Sequence, residues 1–192
     1  MKQPFYSIIS DQAQQTAEIL IYGLIGQDSL GDGNVAKSFL KDFQELEKTN
    51  KCIRIRINSP GGSVWEGLPI FNAIRVSKAE VHTYIDGIAY SMAALIALAG
   101  HQVHMAKGAL LMLHNVSVGE YGNAEQMRKT ADQMDKYDTI LADLIAERSG
   151  NTVDFVKANW MNYGDNYFTP EEAKAAGSAF HLTSRDLTAI KM

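Results

Sequence analysis

The clearest pattern in the chain is the alternation Cys52-Ile53-Arg54-Ile55-Arg56-Ile57-Asn58. A period of two turns Ile53, Ile55 and Ile57 to one face and the arginines to the other, as in a strand with one apolar side. Short apolar runs mark further strands at Glu18–Tyr22, Val81–Ile85, Gln102–Met105 and Leu110–Leu113. Helical spacing fills the intervals. A helix is predicted over Asn34–Lys48, after a Gly31-Asp32-Gly33 turn, with Val35, Phe39, Phe43 and Leu46 on one face. A second covers about Glu66–Arg75, and Pro69 points to a start close to itself, because proline fits the first helical turn. A third runs Ser91–Ala99 and stops before Gly100, read as the residue just past the helix. The longest spans Ala124–Arg148, with Asn123 as N-cap and Gln126 three residues on. Its apolar positions are Met127, Met134, Leu141, Leu144 and Ile145, while Asp132, Asp135, Asp138 and Asp143 read as a solvated face. A last helix opens at Thr169-Pro170-Glu171-Glu172, which combines a cap, a proline and first-turn acids. Strands alternating with helices predict an α/β protein with parallel strands. No repeat or linker interrupts the pattern, so one domain is expected over residues 1–192, with a helical handle at about 123–148.

Composition narrows the function. The 192 residues are 46% hydrophobic and 21% charged, as in ordinary soluble domains. A net charge of −4 without a Lys/Arg cluster argues against a nucleic-acid partner. The apolar run Ala89–Ala99 is too short to span a bilayer, and Met1–Ser10 lacks the features of a signal peptide, so no membrane association is expected. The single cysteine, Cys52, excludes an internal disulfide, reads as a buried strand residue, and fits a reducing, cytoplasmic compartment. No metal or organic cofactor is expected.

The candidate chemistry centres on Gly87-Ile88-Ala89-Tyr90-Ser91-Met92-Ala93. A nucleophilic serine sits at a tight strand-to-helix turn with small neighbours, here Ala89 and Ala93. A serine there serves equally well as a plain N-cap. A nucleophile needs a base. Of five histidines, His82, His101 and His104 lie in or beside strands and suit structural or exposed roles, and His181 lies near the C-terminus. His114 closes the run Leu110–Leu113, where a chain leaves a sheet and catalytic groups gather. The orienting acid is less plain. Asp165 lies in Gly164-Asp165-Asn166, a setting that also suits an ordinary turn aspartate. Asn58-Ser59-Pro60-Gly61-Gly62-Ser63 follows a strand and precedes a helix. Its N–H groups, with that of Met92, suit an oxyanion hole, and no phosphate-loop glycine spacing is present.

Together these segments resemble the proteolytic subunit of the Clp protease. The resemblance runs from about Ile19 to His181. It rests on Ile57–Val64, Gly87–Ala93, Met112-Leu113-His114-Asn115, Arg148-Ser149-Gly150, Asp165 through Phe168, Pro170–Ala173 and Gly177, with details of the glycine and serine segments nearer to phage head-maturation relatives. It implies a crotonase-like (ClpP-type) α/β fold of repeated β-β-α units. It also implies serine endopeptidase activity from Ser91, His114 and Asp165, with Gly62 and Met92 as the oxyanion hole. A peptide substrate would lie extended beside Gly61, Ser63 and Val64, with Asn115 in contact. The resemblance further implies a heptameric ring, single or stacked in pairs, and an AAA+ ATPase unfoldase partner. Three places depart from the housekeeping pattern: Asn166 stands where an arginine is usual, Asn115-Val116 replaces Gln-Pro, and the N-terminal segment does not match the axial loops. Two other readings are an α/β-hydrolase esterase, with His181 as base, and a crotonase-type acyl-CoA enzyme that would not need Ser91.

Overall fold

The computed structural model describes residues 6–11, 15–26 and 35–177. The Gly31–Gly33 turn, Asn34 and His181 lie outside them. In chain order the elements are β1 (Tyr6–Asp11), β2 (Thr16–Tyr22), α1 (Val35–Thr49), β3 (Cys52–Ser59), α2 (Val64–Arg75), β4 (Glu80–Tyr90) and α3 (Met92–Ala99). Then follow β5 (Gln102–Met105), β6 (Leu110–Leu113), α4 (Ala124–Ser149), α5 (Val153–Asn159), β7 (Asn166–Phe168) and α6 (Pro170–Ala176). The β-β-α order occurs at β1-β2-α1 and β5-β6-α4, with single β-α units between.

The strands form one mixed sheet in the order β1-β2-β3-β4-β6-β7, with β5 also paired to β4. Its interior pairings are parallel, and β1 and β7 close the two edges antiparallel. The long strand β4 serves two neighbours in turn. Residues His82–Ile85 pair with β5, and Ile88–Tyr90 pair with β6. Between the halves the register against β3 slips, from Ile57 opposite Ile85 to Ser59 opposite Ala89. The Asn58 side chain fills this bulge: its Oδ1 accepts from the Ile88 N–H at 3.2 Å, and a Cβ on Gly87 would lie 2.7 Å from that oxygen. The bulge re-aims the end of β4 towards β6, as bulges beside functional sites do.

The predicted alternation of β3 holds, with Ile53, Ile55 and Ile57 fully buried. On the opposite face Arg56 forks onto Asp86, which also accepts from the Tyr22 hydroxyl at 2.7 Å. Burial pushes the Tyr22 hydroxyl up to about 12, with help from the Asp86 hydrogen bond and charge. Cys52 is half-buried rather than buried, and its burial pushes the thiol up. Phe39 and Phe43 of α1 stack at 5.7 Å and pack into the core. All eight residues of α3 are buried, which suits a helix apolar on every side. At 1.5–3 kcal/mol per large apolar side chain, on the order of the usual transfer value, α3 anchors the middle of the fold.

Three local expectations change. Helix α2 begins at Val64 rather than near Pro69, because the Ser63 side chain caps it by accepting from Glu66 N–H at 3.4 Å. Pro69 therefore lies inside the helix and leaves the Trp65 carbonyl without its helical donor. Gly100 has φ −60°, so it is no left-handed terminator. It is small because a Cβ there would lie 2.8 Å from the Thr83 side chain. Arg148 of α4 closes this end of α3, its guanidinium donating to Leu98 O and to Gly100 O just past the helix, while Ala97 O accepts from the Thr83 hydroxyl and the Gly100 N–H. The third change concerns Asp138, which is only 9% exposed and belongs to no solvated face. It packs against the segment after β6, where its carboxylate accepts two hydrogen bonds. Strands β1 and β7 and helix α5 add to the predicted elements. No helix among the described residues is long and apolar enough to cross a membrane, and no cluster of three metal-ligating side chains occurs among them.

Candidate active site

The junction of β4 and α3 carries the candidate nucleophile. Ser91 is its single residue, at φ 54° and ψ −124°, a backbone region that side-chain-bearing residues rarely enter. Its N–H donates to Met112 O at 2.9 Å, which ties the turn to β6. Ala89 and Ala93 on either side are fully buried, leaving no room for larger neighbours. The Ser91 side chain makes no capping bond. Its Oγ instead lies 2.8 Å from Nε2 of His114.

His114 follows the last residue of β6, and its Nδ1 lies 3.0 Å from Oδ1 of Asp165. A carboxylate only accepts, so Nδ1 is the nitrogen that donates to Asp165, and in the neutral imidazole this leaves the Nε2 lone pair facing the Ser91 hydroxyl. Strand β7 explains why Asp165 reaches this point. Leu113 pairs antiparallel with Asn166, and one step further along the ladder brings His114 opposite Asp165. The turn that carries Asp165 is held from within: Asn166 Nδ2 donates to Trp160 O, Asn162 Oδ1 and Gly164 O at 3.0–3.1 Å.

The glycine segment lies against this junction. Gly61 and Gly62 have φ of +95° and +146°, and Gly61 runs so close that a Cβ would lie 2.5 Å from Tyr90 O and 2.9 Å from the Ser91 Cβ. A Cβ on Gly62 would meet Ile25 O at 2.0 Å. Both positions need glycine for the turn and for close approach together. The bridge to Ile25 uses Gly61 O and Ser63 N–H, on either side of Gly62. Met92 is the first residue of α3, where helix geometry gives the N–H no intrahelical acceptor. Gly62, Val64, Ser91, Met92, His114 and Leu141 line a cleft of about 70 Å³. A wider one of about 340 Å³ adjoins it, walled by Ser63, Trp65, Val116, Met134 and Tyr137.

Other candidates fall elsewhere. His101 Nδ1 accepts from Val81 N–H at 3.0 Å, and His104 stacks on Tyr84 at 4.5 Å; both serve the β4–β5 region. His82 pairs with Glu80 at 3.3 Å. The Asn115 side chain is engaged within the protein, donating to Asp138 and accepting from Tyr163 N–H at 2.8 Å. Asp138 escaped the sequence reading because an aspartate at a polar helical position carries no sign of burial.

A hydroxyl facing an imidazole lone pair, with a carboxylate behind the imidazole, can carry out acyl transfer. A family model described as Clp protease matches residues 6–185. The chain is 34% identical over 146 residues to the ATP-dependent Clp protease proteolytic subunit 2 of Rhodococcus jostii (strain RHA1), covering 72% of this chain and 71% of the relative. It is also 34% identical over 137 residues to the ATP-dependent Clp protease proteolytic subunit 1 of Prochlorococcus marinus subsp. pastoris, covering 70% and 69%. The chain belongs to the Clp protease family. The family is one of peptidases, which sets aside the esterase and acyl-CoA alternatives.

Proposed function

We propose that the chain is a serine endopeptidase in which Ser91 is the nucleophile, His114 its base and Asp165 the group that orients the base. The observation that carries this reading is the pair of contacts at one imidazole: Nε2 to Ser91 Oγ at 2.8 Å and Nδ1 to Asp165 Oδ1 at 3.0 Å. A peptide laid extended beside Gly61, Ser63 and Val64 presents its carbonyl carbon to Ser91 Oγ. His114 takes the hydroxyl proton as the new C–O bond forms. The Gly62 and Met92 N–H groups hold the oxyanion. His114 then passes the proton to the departing amine, and water, activated by the same imidazole, releases the acyl group.

The working unit in this proposal is one peptidase domain per chain, assembled in the cytoplasm into a seven-membered ring around a chamber. The ring reading draws on family likeness and on α4, which leaves Met127 and Ile140 about half exposed. An ATPase that unfolds polypeptide substrates follows from the relatives' description as ATP-dependent. Hydrolysis of a fluorogenic peptide by Ser91→Ala and His114→Ala tests the chemistry. Each variant is expected to fold and to lose about 10³-fold or more in kcat. Near-native activity in either would overturn the assignment. Light scattering tests the ring, with an expected mass seven or fourteen times the 21.2 kDa of one chain; a monomer at micromolar concentration would refute it.

A further inference from the structure

The contacts around Asn115 join three parts of the chain through groups that the proposed chemistry does not use directly. Its Nδ2 donates to Asp138 Oδ2 at 2.6 Å, and its Oδ1 accepts from the Tyr163 N–H at 2.8 Å. Asp138 Oδ1 accepts in addition from the Val116 N–H at 2.7 Å. Asn115 follows His114 in the chain, and Tyr163, at φ 67°, lies two residues before Asp165. One amide therefore links the segment carrying the imidazole to the turn carrying the carboxylate. Asp138 fixes both to α4, which is rooted in the core through Leu141, Ala142 and Ile145.

We infer that Asn115 and Asp138 form a positioning clamp that sets the separation of His114 from Asp165; this rests on the triad reading above. The polarity of the clamp is specific. Asp138, acceptor only, demands a donor from position 115, while the Tyr163 N–H demands an acceptor from it. A primary amide is the side chain that offers both at once. Asp138 is nearly buried, so water is a poor substitute for the Asn115 amide there, and a missing donor leaves its carboxylate unsatisfied, whereas the bond from the Tyr163 N–H lies at the surface. Asp165 itself is about half exposed, with a side-chain accessibility of 53%, and the Asn166 bonds brace its turn internally without tying it to His114 or α4. The clamp supplies the tie between that turn, the His114 segment and α4. Asn115 is thus a positioning residue, whose side-chain amide is engaged by Asp138 and Tyr163 at the edge of the Ser91 cleft.

Three variants test this on the full-length assembled protein. Asn115→Asp sets two carboxylates against each other and breaks the Asp138 bond. It is expected to lower kcat by about 10²-fold, the usual cost of a misplacement near 1 Å, with KM little changed. Adding Asp138→Asn to it exchanges donor and acceptor: the new amide donates to the new carboxylate and accepts from Val116 N–H, while Tyr163 keeps an acceptor. The double variant is expected to recover most of the lost kcat. Finally, Asp165→Asn is expected to cost much less in the Asn115→Asp background than in the native one, because the clamp acts through Asp165. If Asn115→Asp does not fold, Asn115→Ala carries the same cycle with Asp165→Asn. The clamp is refuted by native kcat in the position-115 variant, by a folded double exchange that recovers nothing, or by additive losses with Asp165→Asn. A native-background Asp165→Asn without effect refutes the triad reading instead, and that single variant separates the two failures.

Discussion

Replacing Asp165 by Asn removes one charge and little else, and the structure sets how much activity should be lost. In a serine protease triad whose aspartate is buried, the same change costs about 10⁴ in kcat, because the amide forces the wrong imidazole tautomer. Here the Asp165 side chain is 53% exposed, and His114 is its side-chain partner. The amide is therefore free to rotate and offer its oxygen to Nδ1–H, and water shares the site. A loss of about 10² to 10³ in kcat is expected, or about 3–4 kcal/mol of transition-state stabilisation at 1.36 kcal/mol per decade. Stability should change by less than about 0.5 kcal/mol, as for a surface substitution. The assay is steady-state hydrolysis of a fluorogenic peptide, with a thermal melt on the same sample. A folded Asp165→Asn protein with kcat within about threefold of native would refute the reasoning, since an orienting carboxylate is worth more than that.

Two further outcomes concern stability. Arg148→Ala strips Leu98 O and Gly100 O of charged donors at the end of α3 and should cost about 2–4 kcal/mol, read as a lower denaturant midpoint. A cost below about 0.5 kcal/mol would show that water replaces the guanidinium. Thr169→Ala removes the α6 cap and should cost about 1 kcal/mol. Bonds from the Thr169 N–H and hydroxyl hold the Glu172 carboxyl below its ordinary range. A carboxyl depressed on folding adds stability above its unfolded pKa and loses it as pH falls through the folded value. The difference between native and Glu172→Gln proteins should therefore shrink on acidification. A difference that stays constant down to pH 2 would contradict this.

The sequence carries the strand alternation, the caps at Asn123 and Thr169, and the Ser91 junction because each depends on near neighbours. Ile53, Ile55 and Ile57 declare a face by their spacing alone, and Gln126 and Glu172 answer their caps three residues on. The strand β7 escaped because three residues are too few to show a period. Yet β7 is the element that brings Asp165 across from His114, so the acid looked like an ordinary turn residue. Pro69 misplaced the start of α2, since the local rule on proline ignored the cap that Ser63 supplies upstream. The burial of Asp138 is hidden from the sequence for a deeper reason. Its partners lie 22 and 23 residues away, and no helical periodicity encodes a hydrogen bond across that distance.

Activation of Ser91 by His114 is tested most directly by covalent labelling with a fluorophosphonate followed by peptide mass spectrometry. One adduct per chain is expected on the peptide containing Ser91, none there in Ser91→Ala, and much slower labelling in His114→Ala. An adduct on another serine, or labelling of Ser91 at native speed without His114, would contradict it.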